Sequence, residues 1–138
     1  MPPPRLPAKL EQLPRVALAH LPTPLEPMAN LTRYVGGAQM LVKRDDCTGL
    51  AMGGNKIRQL EFYLGDARSR QADALLITGA VQSNFVRSAI AAGNRFGMQS
   101  HVQLERRVER DDDLYATSGN VLLDHLLGAT IHEYPDGE

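Results

Sequence analysis

The chain has 138 residues, of which 43% are hydrophobic and 22% charged, and its formal net charge at pH 7 is −1. This is the composition of one ordinary soluble domain. The nearly neutral charge, without a basic stripe, argues against a nucleic-acid or membrane partner, and no signal peptide or membrane-spanning run is predicted. The single cysteine, Cys47, excludes an intramolecular disulfide, so we expect a cytoplasmic protein in which Cys47 packs as a small hydrophobic residue.

The N-terminal segment is rich in proline, with eight of the nine prolines in residues 1–27. Proline interrupts helices, so we expect an extended arm with turns whose apolar residues pack onto the rest of the protein. The pattern then predicts a short helix over 28–35 and a strand over 39–43. That strand runs into a polar cluster, Arg44-Asp45-Asp46.

Helical and strand-like patterns alternate from residue 56 onwards. Apolar spacing predicts helices over 56–70, 83–95 and 118–127, and strands over 74–78, 100–104 and 130–134. Strands that alternate with helices through short connections indicate an α/β fold, a parallel sheet with flanking helices. In such sheets ligands bind beyond the carboxyl ends of the strands.

Three finer expectations concern burial. The continuous apolar run at 74–78 is typical of a strand that is buried on both faces. The run from Glu105 to Asp113 carries charges of both signs and is expected to be a solvated loop. The last helix is expected to bury four apolar side chains, Val121, Leu122, Leu126 and Leu127.

Lys56 follows two glycines at the start of a predicted helix, in the segment Gly53-Gly54-Asn55-Lys56. A helix N-terminus disfavours an ammonium group by roughly 0.3–1 kcal/mol and so favours the neutral amine, which is the form that a Schiff-base nucleophile needs. The paired glycines let the backbone approach a bound group closely. An ordinary exposed lysine in the first turn of a helix is the alternative that these four residues leave open.

A second polar segment, Gln82-Ser83-Asn84, follows the predicted strand 74–78 and opens the next helix. Its side chains and N–H groups are therefore expected where a carboxylate or phenolate oxygen would be held. A helix cap is the ordinary role of a serine at the position of Ser83, and capping does not exclude a contact with substrate. The four histidines show no i,i+4 pair and no cysteine at ligand spacing, so no metal is expected.

Several motifs occur in order along the chain: Lys43-Arg44-Asp45-Asp46, Gly53-Gly54-Asn55-Lys56, Gln82-Ser83-Asn84 and Gly119-Asn120. At this spacing they resemble the pyridoxal-phosphate enzymes of the D-cysteine desulfhydrase and 1-aminocyclopropane-1-carboxylate deaminase family. That family belongs to the tryptophan synthase β-like group, fold type II. The resemblance runs from about Pro14 to Glu138.

The resemblance implies pyridoxal 5'-phosphate as the cofactor, with Lys56 as the residue that forms the Schiff base and moves the substrate proton. It implies that Asn55 and Asn84 contact the cofactor, and that Ser83 lies at the carboxylate of a small amino-acid substrate and takes part in catalysis. The substrate site that it implies is lined by Gln82, Ser83, Asn84 and Phe85.

The sequence departs from the family in two ways. Position 85 is phenylalanine, where the family commonly has histidine or another polar residue. The resemblance therefore leaves the identity of the substrate open. The family also continues past residue 138, with a glycine-rich loop for the cofactor phosphate, a partner of the pyridine nitrogen and a tyrosine near the substrate. The resemblance therefore implies a truncated N-terminal portion that is inactive alone and homodimeric when complete. Residues 1–50 would belong to a large domain, and residues 51–138 would form the small domain.

The activity implied first is that of a D-cysteine desulfhydrase, which eliminates sulfide and yields pyruvate and ammonia. A 1-aminocyclopropane-1-carboxylate deaminase or a cysteate sulfo-lyase is the alternative within the same fold. A truncated protein without catalysis, which oligomerises or binds a partner, is the alternative from another class.

Overall fold

Helices and strands alternate along the computed structural model of the protein, which describes residues 7–110 and 112–134. The helices are α1 (Ala8–Glu11), α2 (Ala29–Val35), α3 (Ile57–Ser69), α4 (Asn84–Asn94), α5 (Asp113–Thr117) and α6 (Gly119–Leu126). The strands are β1 (Leu25–Pro27), β2 (Leu41–Lys43), β3 (Ala74–Ala80), β4 (Gln99–Glu105) and β5 (Thr130–Tyr134). Two short 3₁₀ turns, Asp45–Thr48 and Leu50–Met52, lie between β2 and α3.

The body of the protein is a three-stranded parallel sheet in the order β3-β4-β5, while β1 and β2 form a separate antiparallel pair. Helix α4 packs on β3 and β4, and α3 and α6 each pack against α4. The predicted parallel α/β arrangement is therefore confirmed. The predicted helix over 28–35 is confirmed by α2, which ends where Gly36 adopts a left-handed conformation with φ of 65°.

The core lies between the sheet and the helices, and the helical period builds it. Helix α3 contributes Ile57, Leu60 and Leu64, which recur on one face and are at most 1% exposed. Helix α4 contributes Val86 and Ile90, which are fully buried. These side chains pack in one cluster with the inward residues of β3 and β4, so the positions of the helices follow from their apolar faces.

The other face of the sheet is uncovered by the part of the chain that the structure describes. Ile77 is buried on the side of α4, whereas its neighbour Leu76 is 88% exposed. On the same open face, His101 of β4 stacks on His132 of β5 with 6.0 Å between ring centroids. The prediction that the 74–78 strand is buried on both faces is wrong, because the helix that contacts it lies on one side only.

The predicted burial of α6 is confirmed for two of the four residues, Val121 and, in part, Leu127, which is the C-cap and packs against the core. Val121 is 5% exposed, as expected, but Leu122 and Leu126 are 49% and 74% exposed, so their predicted burial is wrong. Leu122 and Leu126 are one turn apart and share the outer face of the helix. The inner face, three residues on from Val121, carries Asp124, which is fully buried.

Smaller differences from the prediction concern loops. The arm contains α1, a single turn, and β1, and the charged run leads into α5; none of these elements was predicted. The predicted packing of Cys47 is wrong, because the 3₁₀ turn leaves its side chain exposed, with Sγ 3.6 Å from an oxygen of Asp46. Parts of the predicted arm, charged run and second domain that fall on residues 1–6, 111 and 135–138 lie outside the described residues.

The proline-rich arm is attached to α3 by Glu61, whose side chain is 2% exposed. One of its carboxylate oxygens accepts hydrogen bonds from the backbone N–H groups of Leu18 at 3.0 Å and Ala19 at 2.9 Å. The other accepts from Nε of Arg15 at 2.8 Å. At Gly65, one turn further, a Cβ would lie 2.3 Å from a backbone oxygen of the arm. The expected packing of the arm onto the protein is confirmed.

Candidate functional site

The loop before α3 has a strained backbone. Residues 51–54 all have positive φ angles, and two of them, Ala51 at 45° and Met52 at 70°, are not glycine. At Gly53 a Cβ would lie 2.1 Å from the backbone oxygen of Asp46, so glycine is required there. Strained residues of this kind typically cost about 1–3 kcal/mol each and cluster at functional sites. The loop is therefore a candidate site on its geometry.

Thr48 holds this loop from the inside. Its side chain is fully buried, and Oγ1 accepts a hydrogen bond from the N–H of Gly54 at 2.9 Å. The same hydroxyl donates to the backbone oxygen of Asp45, also at 2.9 Å. Lys56 consequently stands half-buried at the N-cap position of α3, so the predicted start of this helix is confirmed.

The turn after β3 opens α4, and Ser83 is its N-cap. The Ser83 hydroxyl oxygen accepts a hydrogen bond from the N–H of Val86 at 3.4 Å, which is the ordinary capping role. Because α4 has 11 residues, its N-terminus carries the partial positive charge of a full helix dipole. This end of the helix is suited to an anionic oxygen of a ligand.

The structure brings the two predicted polar segments together. Nδ2 of Asn84 donates a hydrogen bond to Oδ1 of Asn55 at 3.2 Å. A Cβ on Gly54 would lie 3.6 Å from the same nitrogen. The residue before Lys56 is thus bonded to the residue after Ser83, which brings the loop of Lys56 to the N-terminus of α4.

The side chain of Gln82 is used to hold this turn in place. Its Nε2 donates to the backbone oxygens of Tyr115 at 2.6 Å and Ser118 at 2.9 Å, and its Oε1 accepts from the N–H of Asn120 at 2.9 Å. The backbone oxygen of Gln82 also accepts from Nδ2 of Asn120. Gln82 therefore joins the turn to the start of α6, and its predicted contact with substrate stays a prediction.

Arg87, to which the sequence analysis assigned no role, links three parts of the site. Its Nη1 donates to Oδ1 of Asn120 at 2.7 Å, and its Nη2 donates to the backbone oxygen of Gly53 at 3.0 Å. One guanidinium therefore bridges α4, α6 and the loop of Lys56. A signal was present, because Arg87 and Asn120 both lie in the first turn of a helix that follows a loop of the site.

The predicted polar cluster after β2 supports α3 and the arm. Arg58 of α3 donates to the Asp45 carboxylate at 2.8 Å and to the hydroxyl of the buried Thr23 at 2.8 Å. The hydrogen bond from Arg58 lowers the pKa of Asp45 below its usual value. Lys43 donates to the backbone oxygen of Thr23, so its amine is engaged at the arm.

Two remaining expectations concern Phe85 and metal ions. Phe85 is partly buried and packs against the hydrophobic core, and its predicted place beside the substrate stays a prediction. Among the described residues, no three His, Cys, Asp or Glu side chains form a group that could hold a metal ion. No helix in that part of the chain is long and apolar enough to cross a membrane.

Comparison with known proteins agrees with this geometry. The family model described as pyridoxal-phosphate dependent enzyme matches residues 16–138, which is most of the chain. The chain belongs to this family. The family's cofactor is pyridoxal phosphate, and the predicted resemblance is confirmed.

Two curated relatives illustrate the similarity. The chain is 40% identical over 130 residues to a 1-aminocyclopropane-1-carboxylate deaminase of Burkholderia multivorans. The aligned segment covers 93% of this chain and 38% of the relative. The chain is 42% identical over 123 residues to a D-cysteine desulfhydrase of Serratia proteamaculans, covering 89% of this chain and 37% of the relative. The chain thus spans well under half the length of these relatives.

A solved structure confirms the fold of the family. The crystal structure of a 1-aminocyclopropane-1-carboxylate (ACC) deaminase homologue superposes with a TM-score of 0.83 at 38% sequence identity. The superposition covers 95% of this chain and 38% of that chain. The predicted α/β fold of the tryptophan synthase β-like group is therefore confirmed.

Proposed function

We propose that residues 1–138 are the N-terminal portion of a pyridoxal-phosphate-dependent lyase or deaminase of small amino acids, with D-cysteine desulfhydrase activity as the first candidate. The hydrogen bond from Asn84 to Asn55 carries this proposal, because it joins the loop of Lys56 to the N-terminus of α4. Lys56, Ser83 and Asn84 are the three residues to which we assign the chemistry.

The residues present fit the cofactor. Gly54 leaves space that a Cβ would fill, 3.6 Å from Asn84 Nδ2 and 3.9 Å from Arg87 Nη2, so a ligand can approach the backbone there. Lys56 would hold the cofactor through a Schiff base, Asn84 would donate a hydrogen bond to its phenolic oxygen, and Asn55 would orient the amide of Asn84. When bound, the cofactor supplies an electron sink for charge that develops at the α-carbon of the substrate.

Lys56 and Ser83 have separate roles in the proposed reaction. Lys56 takes the proton from the substrate α-carbon as a general base and returns it as an acid. The Ser83 hydroxyl, together with the helix N-terminus that it caps, binds the substrate carboxylate. Loss of a thiol from the β-carbon, followed by hydrolysis, converts D-cysteine and water to pyruvate, ammonia and hydrogen sulfide.

A 1-aminocyclopropane-1-carboxylate deaminase is the second candidate, supported by the relative of that name at 40% identity. Its substrate carries no hydrogen on the α-carbon, so there the same residues would hold the cofactor and the carboxylate while the base acted on a different proton during ring opening and deamination. A cysteate sulfo-lyase differs in its leaving group, which would be sulfite. A domain without catalysis, which oligomerises or binds a partner, is the candidate of another class.

The proposal extends to organisation and location. Residues 1–50 would belong to a large domain and residues 51–138 would form the small domain; the separate β1-β2 pair is compatible with this division. The residues described here supply the lysine and part of a pocket, so we expect residues 1–138 alone to be inactive. The complete enzyme would be a cytoplasmic homodimer, and one unpaired cysteine is ordinary in that compartment.

The experiment that tests the assignment is reductive labelling. The protein is incubated with pyridoxal phosphate and borohydride, and its peptides are mapped by mass spectrometry. We expect the label on Lys56, because the engaged Lys43 donates to the arm. The variant Lys56→Arg should lose the label, and the matched variant Lys43→Arg should keep it. Label on Lys43 alone would overturn the assignment, and no specific label would favour the non-catalytic candidate.

A smaller effect is expected from residue 85. An aromatic side chain offers no hydrogen bond to a charged substituent, and desolvating a polar group without a partner costs roughly 1–3 kcal/mol. We expect the complete enzyme to prefer D-cysteine to cysteate, and Phe85→His to improve the relative use of cysteate about 10-fold. Parallel assays of sulfide, sulfite and ammonia release measure the ratio. Equal ratios in both proteins would show that Phe85 serves the core and does not face the substrate.

A further inference from the structure

The peptide unit that joins Gly53 to Gly54 is held at both of its polar groups. Its oxygen, which belongs to Gly53, accepts a hydrogen bond from Nη2 of Arg87 on α4 at 3.0 Å. Its N–H, which belongs to Gly54, donates to the hydroxyl of the buried Thr48 at 2.9 Å. Because Lys56 is the second residue after Gly54, the contacts that orient this peptide also determine where Lys56 stands.

The guanidinium that reaches this peptide is itself fixed by Asn120. Nη1 of Arg87 donates to Oδ1 of Asn120 at 2.7 Å. Asn120 is in turn held by Gln82, because its Nδ2 donates to the backbone oxygen of Gln82 and its backbone N–H donates to Oε1, both at 2.9 Å. An amide that donates through its nitrogen and accepts through its oxygen has one orientation that satisfies both contacts. Asn120 therefore presents its oxygen to Arg87 in a defined direction.

The loop needs such support more than the neighbouring helices do. Residues 51–54 have positive φ angles, and strained residues persist only where their surroundings hold them. Helices α3 and α4 are instead fixed by buried apolar side chains, among them Ile57 and Val86. Loss of the contact from Arg87 should therefore open the loop while the sheet and its helices stay closed.

We infer that Arg87 is a positioning residue for Lys56. Its guanidinium, oriented by Asn120, clamps the peptide between Gly53 and Gly54 and so holds the loop at the N-terminus of α4. The inference rests on the proposed function, in which Lys56 is the residue that binds the cofactor. Helix α4 then serves the site twice, through its N-terminus and through Arg87 in its first turn.

Hydrogen exchange of the backbone amides, measured on the protein without cofactor, tests the clamp. Lysine keeps the positive charge of Arg87 but lacks the planar fork that reaches two acceptors at once. We expect Arg87→Lys to speed exchange at Gly54 about 10-fold, with exchange at Val102 in the sheet unchanged. The matched variant Arg70→Lys, which alters an exposed arginine paired with Asp66, should change neither. Unchanged exchange at Gly54, or equal acceleration at Gly54 and Val102, overturns the inference.

Two variants of Asn120 test the orientation of Arg87 independently, including where Arg87→Lys does not fold. Asn120→Asp keeps an oxygen that accepts from Arg87, whereas Asn120→Leu removes it. We expect exchange at Gly54 to be about 10-fold faster in Asn120→Leu and close to that of the unmodified protein in Asn120→Asp. The same rate at Gly54 in both variants overturns the inference.

The rate at which pyridoxal phosphate and borohydride label Lys56 separates positioning of Lys56 from a purely structural role. Under limiting cofactor we expect Arg87→Lys to be labelled about 10-fold more slowly, and Arg70→Lys to be labelled at the rate of the unmodified protein. An open loop with an unchanged labelling rate overturns the inference. No label on Lys56 in the unmodified protein contradicts the proposed function instead, and the exchange rates, which need no cofactor, then decide whether Arg87 clamps the loop.

Discussion

Replacing Glu61 with glutamine is expected to lower the free energy of unfolding by about 3 kcal/mol. The carboxylate accepts from two backbone N–H groups of the arm and from Arg15, while being almost fully buried. Glutamine keeps the shape but replaces charge-assisted hydrogen bonds with neutral ones and offers an NH₂ group where an acceptor is needed. The arm should therefore detach more easily from α3.

The pH dependence of Glu61 has a definite sign. Burial raises the pKa of Glu61, but the hydrogen bonds from Ala19, Leu18 and Arg15 outweigh it and hold the pKa below the usual value of 4.5. A depressed pKa means that the folded state binds fewer protons than the unfolded state. The stability supplied by Glu61 is present above about pH 4.5 and is lost as the pH falls through the lower pKa of the folded state.

Urea unfolding at neutral pH, followed by far-ultraviolet circular dichroism, measures the effect. Asp66→Asn is the control on the same helix, since Asp66 forms an exposed ion pair with Arg70, and it should change stability by less than about 1 kcal/mol. A Glu61→Gln protein as stable as the control would show that the arm is not held by this carboxylate.

Much of the fold could be predicted because its signals are local. The spacing of Ile57, Leu60 and Leu64 predicted α3, and these residues form its buried face. A one-dimensional pattern does not say which side of a strand has a partner, and so Leu76 was expected to be buried and is exposed. The same limit applies to α6, where the predicted burial of Leu122 and Leu126 is wrong and the buried face includes Asp124.

The candidate site could be predicted only at its two motifs. Lys56 and Ser83 each stand at a helix start, and a helix start is readable from neighbouring residues. The contacts that join the two motifs could not be predicted in this way, because Arg87 reaches Asn120 and Gly53 across 33 and 34 positions of the chain. Contacts at such separation depend on how the helices pack, which no local pattern encodes.

The largest effect is expected for the pH dependence of stability in Asp124→Asn. Burial raises the pKa of Asp124 to about 7 from a usual value of 3.8. The folded state therefore holds a proton that the unfolded state has already lost, so stability is greatest below about pH 4 and falls as the pH rises to about 7. A shift of about three units corresponds to about 4 kcal/mol.

Comparing Asp124→Asn with the unmodified protein isolates the contribution of Asp124 to the pH dependence of stability. Asparagine does not titrate, so the free energy of unfolding of Asp124→Asn relative to the unmodified protein should rise by about 4 kcal/mol between about pH 4 and pH 8. The histidines titrate in the same range, but they do so in both proteins and cancel in the difference. Urea unfolding at a series of pH values measures it. A flat difference would mean that Asp124 stays ionised throughout, with Arg87 compensating fully for its burial.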